Sequence, residues 1–218
     1  MSRDCAAAGT WWGIAPFYTS TADFTIACWA YLRAISQANV QIISNGLNAG
    51  NGYALFWPYV NSVVIYTDQA VAYRGSGWAE PANQWCHIGA TRSGSGNVTL
   101  YGNGSAIESV AVGPSTPGSC WAVGGGTNTG YTANCSLAEA ALWSVGLTAL
   151  EMQSLAKGTP AHRVRPTSLQ AYSPMWGLSN PEPDFSGKAH PLTLQAGSSP
   201  RGTSGDPPVA SHVPLYAA

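Results

Sequence analysis

Apolar and polar positions alternate most clearly in the middle of the chain, from Gln84 to Val112. Val98 and Leu100 alternate with Thr99 and Tyr101, the two-residue period of a strand with one dry face. Three strands are predicted here: Trp85–Arg92, Asn97–Tyr101 and Ala106–Val112. Ser93-Gly94-Ser95-Gly96 and Gly102-Asn103-Gly104 separate them, and Gly113-Pro114 stops the third. Tight hairpin turns need positive φ, which Gly and Asn adopt at little cost, so the stretch reads as a β-meander.

The same pattern recurs in short runs along the chain. Residues 1–22 read as an N-terminal strand anchored by Trp11, Trp12 and Phe17. Strands are predicted at Asp23–Leu32, Val40–Ser44, Tyr53–Trp57, Val60–Thr67, Ala70–Tyr73, Cys120–Val123 and Ser136–Trp143, with Pro58 splitting the third from the fourth. A single segment has helical punctuation. Thr148 stands at the N-cap and Glu151 three residues on, a capping box; Leu147 and Met152 make the flanking staple, and Lys157-Gly158 is the stop. The helix is expected over 148–156, with Glu151 in a capping role and not a catalytic one. From 198 to 218 alternation is lost and Pro and Ser dominate, which predicts an extended, semi-rigid tail. Val209, Val213, Leu215 and Tyr216 give that tail apolar groups to bury against a partner.

Composition agrees with a turn-rich β protein. Of 218 residues 25 are Gly and 15 Pro, only 9% are charged, and there are 9 Trp and 10 Tyr. So many aromatics argue against disorder. The net charge is −1 and no Lys/Arg run exists, which excludes nucleic-acid binding through a basic patch. No stretch of eighteen apolar residues is present, so no membrane span is expected. The start, MSRDCAAAGTWW, lacks the apolar centre of a secretory signal. Either a leader has been removed or the protein leaves its cell by another route, such as inside a released particle. A weakly charged surface suits packing on another protein or aromatic contact with neutral sugars.

Candidate chemistry is sparse. Of ten acidic residues only Glu182 and Asp184 lie close together, in the Pro-bracketed loop PEPDFSG. Glycosidases need two carboxylates flanking the scissile bond, and no predicted strand carries two at i, i+2. The four histidines are scattered, and His87 is expected to be structural. There is no G-x-S-x-G elbow. The cysteines Cys5, Cys28, Cys86, Cys120 and Cys135 form no C-x-x-C pair, so no zinc site is read from them; as buried thiols they would pack like small apolar groups. No enzyme is expected. Exposed aromatic and Asn side chains would bind sugar, and Trp57, Tyr59, Trp78, Asn128, Tyr131 and Asn134 are the candidates, each weighed against plain core packing.

Four segments, in order, resemble one family. Trp85-x-His87, a hairpin and Leu100-Tyr101-Gly102-Asn103-Gly104 are similar to its W-x-H-hairpin-LYVNG core. DFTIACWAYL at 23–32 resembles its "FTISAWV" strand, and SLAEAALW at 136–143 its "G-x-I-A-E-V-A-I-W" strand before a short helix. Residues 166–194 resemble its closing "D-x-S-G-x-x-x-L-T-L" segment. The family is that of the laminin-G-like and pentraxin-like jelly rolls of the concanavalin A-like lectin/glucanase fold. The resemblance implies an all-β, two-sheet antiparallel jelly-roll sandwich over 1–197, with one short helix and the extended C-terminal tail. It also implies a disulfide between the strands carrying Cys28 and Cys86, although each is displaced from the family position; free thiols are the other reading. No cofactor is required, but the family implies calcium as an option, with Glu182 and Asp184 as its ligands; the alternative is that Asp184 caps its own turn. Domains of this kind on bacteriophage particles imply a non-enzymatic virion surface protein, homo-oligomeric and docked on a coat or tail protein. The alternative is an extracellular carbohydrate-binding module or lectin.

Overall fold

The computed structural model describes residues 2–5, 11–15, 17–18, 23–33, 40–45, 53–59, 62–67, 71–74, 78, 82–94, 96–111, 120–125, 134–177, 179–196 and 205–209. Among them two antiparallel seven-stranded sheets are formed. The first runs in the order β1 (Arg3–Asp4), β12 (Cys135–Trp143), β3 (Phe24–Leu32), β8 (Trp85–Ser93), β9 (Asn97–Gly102), β10 (Ser105–Ala111), with β13 (Leu169–Ser173) also on β12. The second runs β14 (Thr193–Ala196), β2 (Trp11–Ile14), β11 (Trp121–Val123), β4 (Val40–Asn45), β5 (Tyr53–Tyr59), β6 (Ser62–Thr67), β7 (Val71–Arg74).

The two-residue period sorts side chains onto the two faces of the first sheet. Ile26, Cys28 and Ala30 of β3, Ile88 of β8 and Leu100 of β9 are fully buried in the main core, with Trp12, Ile43, Leu55 and Trp121 from the second sheet. Each large apolar side chain so enclosed contributes about 1.5–3 kcal/mol. The alternate positions, Ala27, Tyr101 and Trp143, face outward into a smaller core beneath α1 (Ala149–Ala156), with Met152, Leu155 and Tyr172. Gly89 allows the close approach, since a Cβ there would lie 2.4 Å from the Met152 methyl.

The helix has the predicted capping box, with Thr148 at its N-cap. Asn103 and Gly104 both have positive φ in the two-residue hairpin between β9 and β10, as the Asn-Gly pair requires. Three expectations are corrected. Residues 1–22 hold two strands, not one: β1 pairs with β12 of the first sheet and β2 with β11 of the second. Pro58 does not split the chain: β5 continues to Tyr59, with an irregular register between Phe56 and Tyr59 that absorbs the missing donor. The next strand starts at Ser62, not Val60.

All five cysteines are buried thiols. Cys28 lies opposite Ile88 and Cys86 opposite Ala30, so those two are diagonal, not facing, neighbours. Of the Pro-rich tail, residues 205–209 are described: Pro207 is buried, Val209 half-buried, and the Pro208 carbonyl sits against Gly158 just after α1. Val213, Leu215 and Tyr216 lie outside the described residues.

Candidate functional site

The connection from β13 to β14 crosses between the sheets and carries the PEPDFSG loop. Both of its carboxylates are engaged by the protein. Glu182 is fully buried; its Oε1 accepts from Arg3 Nε at 2.5 Å and Gly177 N at 2.9 Å, and its Oε2 from Trp176 N at 3.1 Å. Asp184 Oδ1 accepts from Tyr172 N and Ser186 N, both at 2.9 Å. Its Oδ2 accepts from the Ser186 hydroxyl at 2.7 Å and His190 N at 2.9 Å. Calcium takes six to eight oxygen ligands, whereas these oxygens face a guanidinium and amide hydrogens, so the pair does not fit that ion. Among the described residues no group of three or more His, Cys, Asp or Glu could hold a metal.

The same bonds hold two aromatic rings at the loop's surface. Phe185 is 44% exposed, its amide donating to the Tyr172 carbonyl at 2.8 Å. The half-buried Trp176 ring lies 4.8 Å from it, inclined by 57°, and Tyr172 closes the base at 6.4 Å. Behind the loop the His190 ring stacks on Phe17 at 3.8 Å, and its Nδ1 meets the Gln170 carbonyl at 2.8 Å. Ser179, Asn180 and Lys188 are exposed along the same connection. A tilted pair of rings on a braced loop can stack the C–H face of a sugar while neighbouring polar groups take its hydroxyls. The signals in the sequence were Trp176 in PMWG and Phe185 in PDFSG, each beside Gly or Pro and not within a periodic run.

A second polar feature lies under α1. β12 carries a bulge: Ala138 pairs with Trp29 and Ala141 with Ala27, leaving two residues against one. Glu139 sits there with φ +56°, a left-handed conformation costly for a side-chain-bearing residue. Its Oε2 accepts from the Tyr172 hydroxyl at 2.5 Å, and it lines a narrow pocket with Trp29, His87, Trp143 and Thr159. Burial, then the neighbouring Glu139, push the Tyr172 hydroxyl far above its ordinary range. Burial alone lowers His87 to about 3, so it stays neutral; its Nδ1 has no hydrogen-bond partner among the described residues. The pocket holds one carboxylate, Glu139, beside a neutral imidazole; the paired carboxylates that most glycosidases use are not gathered there among the described residues.

The earlier sugar candidates fall elsewhere. Trp57 and Tyr59 lie on β5, their side chains outside the described set, as are Asn128 and Tyr131 altogether. Trp78 is half-buried against the main core, and its ring fills the space where a Cβ on Gly102 would be. Asn134 is exposed beside β12, with β3 and β8 lying between that strand and the β9 strand of Gly102. Trp78 and Asn134 are therefore not brought together.

No curated protein sequence matches the chain. Among solved structures, it is similar over 96% of its length to a Bacteroides ovatus protein provisionally described as carbohydrate-binding (TM-score 0.72, 17% identity), and spans 61% of that chain. A heptameric pentraxin of the serum-amyloid-P type from Limulus polyphemus has TM-score 0.59 and 12% identity over 71% of this chain and 81% of its own. The binding domain of a paraclostridial mosquitocidal protein has TM-score 0.57 and 17% identity, over 71% and 42%. These likenesses concern the fold. The model of the laminin-G-type family described as the concanavalin A-like lectin/glucanases superfamily matches residues 9–153, about two thirds of the sequence. The chain belongs to the concanavalin A-like lectin/glucanases superfamily.

Proposed function

We propose that this protein is a non-enzymatic, lectin-like module that binds a neutral glycan by stacking one pyranose ring on Phe185 and Trp176. The observation that carries this reading is the exposed ring pair on a loop whose two carboxylates are bonded inward, to Arg3 and to backbone amides. A rigid aromatic surface loses little entropy on binding, and a low charge leaves neutral hydroxyls as the matching chemistry. Folds of this class host both lectins and hydrolases, so the fold does not decide between them.

The test is a glycan array followed by calorimetry on the hits. Phe185→Ala and Trp176→Ala should each weaken binding at least about tenfold, a typical loss for an aromatic anchor. Phe185→Ala should leave the melting temperature unchanged. Chelation of calcium should leave binding unchanged, and β-glucan, chitin and alginate should release no reducing ends. Binding abolished instead by Trp57→Ala or Tyr59→Ala would move the site to β5; an array without hits would remove the reading.

The setting on a virion surface, docked on a coat or tail protein as an oligomer, is the second part of the proposal. The weak charge and the apolar residues Val213, Leu215 and Tyr216 in the tail support it. Co-purification with particles, lost on removing 206–218, tests it.

A further inference from the structure

β1 is only two residues long, yet three successive residues, Arg3 to Cys5, fasten it. Arg3 bonds Glu182, Asp4 pairs with Arg33 and Ser136, and the Cys5 amide donates to the Cys135 carbonyl at 2.8 Å. The antiparallel register sets Arg3 opposite Leu137 and Asp4 opposite Ser136, which brings Cys5 opposite Cys135. Directly opposed residues point their side chains to the same face, and both thiols are fully buried in the main core. The Cys5 thiol is near enough to Cys135 to help raise its pKa. Gly124 makes room: a Cβ on it would lie 2.4 Å from the Cys5 sulfur.

A hydrogen-bonded antiparallel pair holds its Cα atoms about 5.5 Å apart. That is the middle of the disulfide range of about 4.4–6.8 Å. Cys28 and Cys86 do not meet it, because a diagonal pair holds its Cβ atoms about 7 Å apart against the roughly 3.8 Å a disulfide needs. A metal does not account for the sulfurs, since no third ligand of suitable placement accompanies them among the described residues.

We infer that Cys5 and Cys135 are a disulfide pair that joins the first strand to β12 when the chain folds in an oxidising environment. Each thiol gives up one proton and one electron, a sulfur–sulfur bond forms, and a small-molecule disulfide of the glutathione type takes up both to become two thiols. The bond forms while β1 is still undocked. Once it has docked, burial and the Cys5 thiol hold Cys135 well above its ordinary pKa, so little thiolate is present to react. The cross-link encloses the chain from residue 5 to 135 and fixes the strand that carries Arg3 beneath the PEPDFSG loop. It does not depend on the glycan reading.

The test starts from the reduced, denatured full-length chain, refolded in a mixture of oxidised and reduced glutathione. The expected product has lost the mass of two hydrogens and carries three alkylatable thiols when unfolded. Cleavage at aromatic residues separates Cys5 from Cys28 and Cys120 from Cys135, and the non-reducing map should join Cys5 to Cys135. Its melting temperature should exceed that of the reduced protein by on the order of 10 °C, since a long loop is closed in the unfolded chain. Cys5→Ala and Cys135→Ala should each abolish the difference between oxidising and reducing buffer, a comparison made within one variant and so independent of any loss of packing. A bond between other cysteines, or folded protein with five free thiols from the oxidising buffer, would overturn the inference.

Discussion

Arg3 Nε donates to Glu182 Oε1 at 2.5 Å, tying the first strand to a loop that comes 179 residues later. The guanidinium also lies over the Trp12 ring, 4.5 Å from its centroid, and donates to the Ser179 carbonyl at 2.5 Å. Both side chains are buried, and removing one partner leaves the other charge uncompensated. Glu182→Ala should therefore cost about 3–5 kcal/mol in urea unfolding. It should also loosen Trp176 and Gly177, whose amides the carboxylate holds, and so weaken the glycan binding proposed above. Equal stability of variant and parent would show that the pair contributes nothing net.

His87 gives the fold a pH dependence of predictable sign. Its imidazole is fully enclosed, edge-on to Trp29, and burial lowers it to about 3. The unfolded chain takes up that proton near pH 6.5, the folded chain only near 3. As pH falls between these values unfolding gains a proton, so stability is fully present above 6.5 and declines below it by about 1.4 kcal/mol per pH unit. Denaturation measured from pH 7 to 5, above the usual carboxylate range, reads this contribution together with that of any other shifted histidine. His87→Phe should flatten the slope in that window, and a slope unchanged by the substitution would assign it to other groups.

Much of the architecture was legible because it rests on local rules. The alternation of Val98, Leu100 and their neighbours, the Asn103-Gly104 turn and the Thr148–Glu151 box each act within a few residues. Glu151 shows the limit of reading it as an acid: burial raises it, but bonds from Arg165 and Thr148 outweigh that and hold it below the usual range. The site was not legible in the same way. Trp176 and Phe185 meet on a loop that Arg3, distant in sequence, and the Tyr172 carbonyl hold in place, and no periodicity encodes such a contact. The assignment of β1 and β2 to different sheets likewise depends on pairing with strands more than a hundred residues later.

Glu139 separates backbone strain from side-chain contact. Its left-handed φ of +56° disfavours any residue with a Cβ, while its carboxylate accepts the buried Tyr172 hydroxyl. Glu139→Ala keeps the strain and loses the bond. Glu139→Gly loses the bond but relieves the strain, by about 1 kcal/mol. Both variants should be less stable than the parent, with the glycine variant the more stable of the two by roughly that amount in chemical denaturation. The opposite order would mean that the bulge does not strain its first residue.

Gly158 follows α1 with φ +92°, a conformation that already favours glycine. A Cβ there would also stand 2.3 Å from the Pro208 carbonyl, a clash that must displace one of them, and 3.2 Å from the Val209 Cα, a tight contact. Gly158→Ala therefore has two costs in the full chain: the backbone conformation, about 1 kcal/mol, and displacement of the 205–209 segment. Truncation at 205 removes the second cost only. The two changes should be non-additive, Gly158→Ala being less destabilising in the truncated chain than in the full one by about 1 kcal/mol or more. A double-mutant cycle of urea midpoints measures this directly. Strict additivity would mean that residues 206–209 do not rest on the helix end in solution, and their apolar groups would then be available to a partner along with the rest of the tail.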